Sequence, residues 1–184
     1  TDGRISFEIS LDTVNLWSTE DPQLYTCESV IETEGERDVS VDQFGFRTIE
    51  FVANKGMYLN GVHTKLKGMC LHHDAGCLGA AAWEEVWKKR LLMLKEMGCN
   101  AIRTTSNPYP SMILKLCDEL GLLVMDECFD GWDVPKAPHD YGYFWAAHYQ
   151  EDLTDFINRD KNHPCIFIWS IGNEVLKLSS GLTK

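Results

Sequence analysis

Four groups of polar side chains stand where chemistry could be done: His72-His73-Asp74, Arg103 with Asn107, Asp126-Glu127, and Asn173-Glu174. Each follows or closes a short apolar run, at residues 66–71, 99–104, 122–127 and 165–171. The last group combines a carboxyl that can give and take a proton with an amide that can hold a hydroxyl. A glutamate just past a buried strand is expected to be partly desolvated, which keeps its proton on nearer neutral pH. His72-His73-Asp74 offers metal-ligating atoms, but no third ligand stands at a recognised spacing such as HExxH. Acid–base work therefore describes these groups better than metal chemistry, and it calls for no cofactor.

Side chains gathered this way need elements that end together. From residue 66 onward apolar runs alternate with helical periodicity. Helices are expected over 83–97 (with Trp83, Trp87, Leu91 and Leu94 on one face), 111–120 and 145–162 (stripe Leu153, Phe156, Ile157). Gly98 and Gly121 are placed to close the first two, and His163-Pro164 the third. Strands apolar throughout and separated by helices imply a parallel sheet covered on both faces. No glycine-rich fingerprint follows the first of them, as a dinucleotide fold would require. In a (β/α)8 barrel the carboxyl edge of the strands is where chemistry is built, and about 250 residues complete it. The expected fold is the first half of such a barrel, about four βα units, preceded by β structure. Strands are expected at 4–11, 24–31 and 44–51, with the polar stretch 32–38 as a solvated loop. That is fewer than the roughly seven strands of a complete sandwich.

Composition narrows the partners. The 184 residues carry 28 acidic against 17 basic side chains, a net charge of −11, which repels phosphate backbones and anionic lipid heads. Neither nucleic acid nor membrane is expected as a partner, since no apolar run approaches the roughly 18 residues of a membrane helix. Seven cysteines without a CxxC pair are expected to be reduced packing residues, favouring a cytoplasmic setting. The chain opens at Thr1, so a periplasmic or secreted origin stays open.

The run Arg159-Asp160-Lys161-Asn162-His163-Pro164-Cys165-Ile166-Phe167-Ile168-Trp169-Ser170-Ile171-Gly172-Asn173-Glu174 resembles the acid/base signature of glycoside hydrolase family 2. The family includes β-galactosidases, β-glucuronidases and β-mannosidases. Residues 16–25 and Phe44-Gly45-Phe46-Arg47 resemble the last strands of its immunoglobulin-like domain. Residues 67–74, Asn100-Ala101-Ile102-Arg103 and 117–122 resemble its first three barrel units. The resemblance implies a partial immunoglobulin-like β-sandwich over 1–50 and the N-terminal half of the catalytic barrel over 51–184.

It further implies a retaining exo-β-glycosidase, foremost a β-galactosidase. Glu174 would be the general acid/base, and Asn173 would bond the hydroxyl beside the anomeric carbon. His72 matches a histidine that contacts sugar hydroxyls, Arg103 an arginine that steadies the nucleophile, and Asn107 the loop after that strand. Retention needs two carboxyl groups about 5–5.5 Å apart. Neither Asp126 nor Glu127 matches the nucleophile's motif. They are expected to orient Arg103 or line the pocket floor. The nucleophile is expected on a later strand beyond Lys184, so the partners are a β-linked glycoside or oligosaccharide and the other half of the barrel, with homo-oligomerisation left open. Two departures count: Ser106 stands where many relatives carry His, and Gly131 and Asp133 lie where some β-galactosidases hold magnesium. An endo-acting barrel glycosidase and a non-catalytic carbohydrate-binding module are the alternatives.

Overall fold

A computed structural model describes residues 5–175. Its centre is a four-stranded parallel sheet, β6 (Gly68–His72), β7 (Ala101–Thr105), β8 (Leu123–Glu127) and β9 (Ile166–Ser170), ordered as in the chain. The connections contain α1 (Glu84–Glu96), α2 (Ser111–Leu120) and α3 (Trp145–Asp160). Sequential parallel strands, each reached through a helix, form a partial (β/α)8 barrel. Before it come the hairpin β1 (Tyr25–Thr33) and β2 (Glu36–Phe44), and a meander of β3 (Ile49–Val52), β4 (Gly56–Leu59) and β5 (Val62–His63).

The helices pack where their apolar stripes put them. Trp87, Leu91 and Leu94 of α1 join Ile113, Leu114 and Leu116 of α2 and Ile102 and Val124 of the sheet in one buried core. Along β7 and β8 successive side chains alternate in direction. Thr104 meets Asp126 on the helix side, while Arg103 meets Glu127 on the other. The second face of the sheet stays partly open: Ile168 is 37% exposed, and Cys70, beside Arg103, is exposed.

Several expectations are corrected. Residues 5–11 form no strand, and Ile5, Phe7, Ile9 and Leu11 are exposed, because no other described strand takes their backbone bonds. The stretch 32–38 is no loop but the tip of the β1–β2 hairpin, turning at Glu34-Gly35 with Arg37 beside Glu28 and Glu32. The run 44–51 is broken: β2 ends at Phe44, Phe46 bridges to Leu16, and β3 starts at Ile49. Trp83 caps α1 from outside its core stripe and is 62% exposed. Cys70 and Cys77 are exposed rather than packed, although all seven cysteines are free.

The segments before the barrel grip its amino-terminal edge. Trp17 is fully buried and its indole donates to the Asp118 carbonyl at 2.8 Å. The Arg47 guanidinium donates to the carbonyls of Pro164 (2.8 Å) and Ile166 (2.5 Å), where β9 begins. Gly121 closes α2 in the left-handed region (φ 69°), and a Cβ there would lie 2.5 Å from the Thr19 carbonyl oxygen. Asp118, at the end of α2, accepts from the Cys165 backbone N–H (3.0 Å) and pairs with His163 Nδ1 (2.5 Å). These bonds tie the start of β9 to α2. Burial pushes the Cys165 thiol beside them well up, so in this structure its sulfur stays protonated.

Candidate active site

The carboxyl edge of β7, β8 and β9 carries one continuous polar network. Glu127, the last residue of β8, is fully buried. Its Oε2 accepts from Arg103 Nε (2.9 Å) and Nη2 (2.7 Å) and from Ser170 Oγ (2.7 Å). Arg103 Nη2 also donates to Asn173 Oδ1 at 2.7 Å. Burial alone would lower the Arg103 pKa, but its bonds to Glu127 outweigh that and hold it above the ordinary value.

Asn173 is fixed at both ends of its amide. Oδ1 accepts from Arg103, and Nδ2 donates to Asp130 Oδ1 at 2.8 Å. The backbone is tied as well, since Asn173 N–H donates to the Asp130 carbonyl at 3.0 Å. The amide cannot flip without losing both side-chain partners, and one Nδ2–H is left to donate to a ligand. Gly172 makes this approach possible, because a Cβ there would lie 2.7 Å from Trp132 Nε1, which donates to the Ile171 carbonyl (2.8 Å).

Glu174 follows with a left-handed backbone (φ 49°), a conformation uncommon for a side-chain-bearing residue. Its Oε2 lies 3.3 Å from Lys136 Nζ. Lys136 Nζ also donates to Asp130 Oδ1 (2.8 Å) and to the Asn173 carbonyl (3.1 Å). Burial of Asp130 would raise its carboxyl, but hydrogen bonds from Lys136 and Asn173 bring it below the usual carboxylate range. Burial would lower the Lys136 pKa, but its bonds to Asp130 and Glu174 together outweigh that and raise it. The expected desolvation of Glu174 is corrected: its side chain is 73% exposed, because no described element of this chain covers it.

The sequence-derived residues divide. Arg103, Glu127, Asn173 and Glu174 belong to the network. Asp126 points the other way, where its Oδ1 takes the Thr104 hydroxyl (3.0 Å) and its Oδ2 finds no partner among the described residues. Burial first and the Asp160 charge second push its carboxyl up to about 7. His72 ends β6 exposed, and its neighbour His73 packs between Trp87 and Tyr109. Asn107 donates to the Pro108 carbonyl (3.0 Å) and lies outside the network. It lines a cleft of about 680 Å³ shared with Asp130, Tyr141, Asp152, Phe156 and Arg159. Asp130, Lys136 and Ser170 are additions that sequence reasoning missed. The only signal for the first two was the Gly/Trp/Pro-rich loop in which they lie.

A carboxyl and an amide thus stand at the carboxyl edge of parallel strands of a partial barrel, braced by the ion pair of part-exposed Arg103 with buried Glu127. Residues 51–181 match the model of glycosyl hydrolases family 2, TIM barrel domain, and residues 1–47 match that of glycosyl hydrolases family 2. This chain belongs to glycosyl hydrolase family 2. A β-galactosidase of Bacteroides ovatus is 46% identical over 171 residues, covering 92% of this chain and 20% of that protein. The crystal structure of a β-glycosidase from Bacteroides vulgatus superposes with a TM-score of 0.87 at 44% identity, covering 92% of this chain and 22% of that one. The apo structure of Bacteroides uniformis β-glucuronidase 3 gives a TM-score of 0.81 at 34% identity over 94% of this chain and 22% of that one. The chain thus spans about a fifth of the length of these relatives.

Proposed function

We propose that this chain supplies the acid/base half of a retaining exo-β-glycosidase, with β-galactosides as substrates, and that Glu174 is its general acid/base. What carries this reading is the fixed Arg103–Asn173–Asp130 arrangement directly preceding a carboxyl that reaches open space. In the first step Glu174 gives its proton to the glycosidic oxygen as the bond to the anomeric carbon breaks. A carboxylate from outside this chain attacks that carbon from the opposite face. In the second step the Glu174 carboxylate takes a proton from water, which displaces the enzyme carboxylate and restores the β configuration. The free Nδ2–H of Asn173 is placed to donate to the hydroxyl beside the anomeric carbon, a contact that strengthens in the oxocarbenium-like state. Arg103 and Glu127 hold that amide in place. The relatives named β-galactosidase support the choice of sugar.

The test uses the full-length protein that contains this segment. Glu174→Ala is expected to lose most activity on aryl β-galactosides with poor leaving groups, whose oxygen must be protonated, and little in the first step on dinitrophenyl galactoside. Azide, which attacks the glycosyl-enzyme without base assistance, is expected to restore turnover and yield a β-galactosyl azide. Equal impairment of all leaving groups with no azide effect overturns the assignment. Faster turnover of aryl β-glucuronides than β-galactosides overturns the choice of sugar.

A further inference from the structure

We propose that Lys136, anchored on Asp130, is a positioning residue that selects which oxygen of Glu174 carries the catalytic proton; this rests on the acid/base reading of Glu174. An ammonium has three donors and no acceptor. Lys136 Nζ directs them at Asp130 Oδ1 (2.8 Å), the Asn173 carbonyl (3.1 Å) and Glu174 Oε2 (3.3 Å). The oxygen facing an ammonium can only accept, so Oε2 is held unprotonated and the proton resides on Oε1. A carboxyl with no such partner would share its proton between both oxygens and rotate freely, as expected of a side chain 73% exposed.

The anchor explains how a lysine can do this on a loop. The Lys136 side chain is only 22% exposed, and its backbone N–H donates to Asp140 Oδ2 at 3.1 Å. Asp130 receives Lys136 and Asn173 Nδ2 on the same oxygen, Oδ1. One carboxylate therefore fixes the amide facing the sugar and the ammonium facing the acid/base. The bond to the Asn173 carbonyl holds the peptide that leads into the left-handed turn at Glu174. Asp130 also offsets the lysine charge, so the ammonium orients Glu174 without adding a full unpaired charge beside it.

The experiment compares kcat/KM for a series of aryl β-glycosides, from dinitrophenyl to methoxyphenyl, in the full-length protein carrying Lys136→Met or Lys136→Arg. Lys136→Met is expected to lose roughly 10–100-fold on the poorest leaving groups, as misplaced catalytic groups do, and little on the best. Lys136→Arg retains donors for the carboxyl and is expected to restore the shallow wild-type dependence. The leaving-group dependence is a ratio within one preparation, so partial misfolding of a variant does not change it. An unchanged dependence in Lys136→Met, whether activity is kept or falls equally on all substrates, overturns the proposal. So does an Arg variant as steep as the Met variant. If Glu174→Ala is itself insensitive to leaving group, the acid/base reading fails. If Glu174→Ala is sensitive and Lys136→Met is not, only the role of Lys136 fails.

Discussion

Replacing Arg103 by Met tests whether the Arg103–Glu127 pair is a brace. Glu127 is fully buried, with two bonds from Arg103 and one from Ser170 on Oε2, and its Oε1 has no partner among the described residues. Arg103→Met leaves that carboxylate with the Ser170 hydroxyl alone. Removing one partner of a buried ion pair costs about 3–5 kcal/mol, because the remaining charge is uncompensated. Glu127→Gln instead removes the charge and keeps an oxygen for Ser170. Arg103, whose side chain is 27% exposed, can then turn to water and retain Asn173. That variant is expected to cost about 1.5–3 kcal/mol. The double variant has no stranded charge, so it should cost less than the two singles together by about 2–3 kcal/mol. Urea denaturation of the full-length protein and its three variants, followed by tryptophan fluorescence, gives the cycle from differences in one background. Arg103→Met also releases Asn173 Oδ1, so kcat/KM should fall roughly 10–100-fold beyond any loss of folded protein. Additivity within about 0.5 kcal/mol would refute the brace.

Two further outcomes are expected. The Asp126 carboxyl sits at about 7 in the fold, raised from about 3.9 in an unfolded chain, so its contribution to stability is complete below pH 4 and lost as pH climbs through 7. Wild type should therefore lose stability relative to Asp126→Asn by up to about 1.4 kcal/mol per pH unit across that window, and urea midpoints that run parallel from pH 4 to 8 would contradict it. The isolated 184-residue chain is expected not to turn over aryl β-galactosides, since one carboxyl cannot complete a double displacement. Turnover by pure chain that Glu174→Gln abolishes would place a second catalytic carboxylate within these 184 residues.

The barrel units were legible because their signals are local. Ser111–Leu120 was expected at its observed limits, with Pro110 before it and a left-handed Gly121 after it. The region before residue 66 was less so. Residues 5–11 alternate like a strand but have no partner among the described elements, and β2 is exposed on nearly every residue and shows no face to read. A pairing partner, not periodicity, decides such segments. At the site, Asn173-Glu174 could be found because it follows an apolar strand directly. Asp130 and Lys136 could not, because a loop's approach to another strand end depends on tertiary contacts. The exposure of Glu174 was misjudged for a related reason: being next to a buried strand says nothing about what covers the residue beyond its end.

The grip of Trp17 and Arg47 on the barrel has a consequence for modularity. Arg47 holds the opening carbonyls of β9, and Asn173-Glu174 lies just past that strand's other end. Trp17 reaches the same place through Asp118, which bonds the backbone of Cys165. The boundary expected near residue 50 separates two patterns of sequence but cuts through one mechanical unit. Removing the leading segment would bare the carbonyls of Pro164 and Ile166 and empty a tryptophan-sized socket beneath the strand that leads into Asn173-Glu174. The half barrel and its leading segment are in this sense mechanically coupled, and a graft of the barrel strands keeps β9 seated only if Trp17 and Arg47 travel with it.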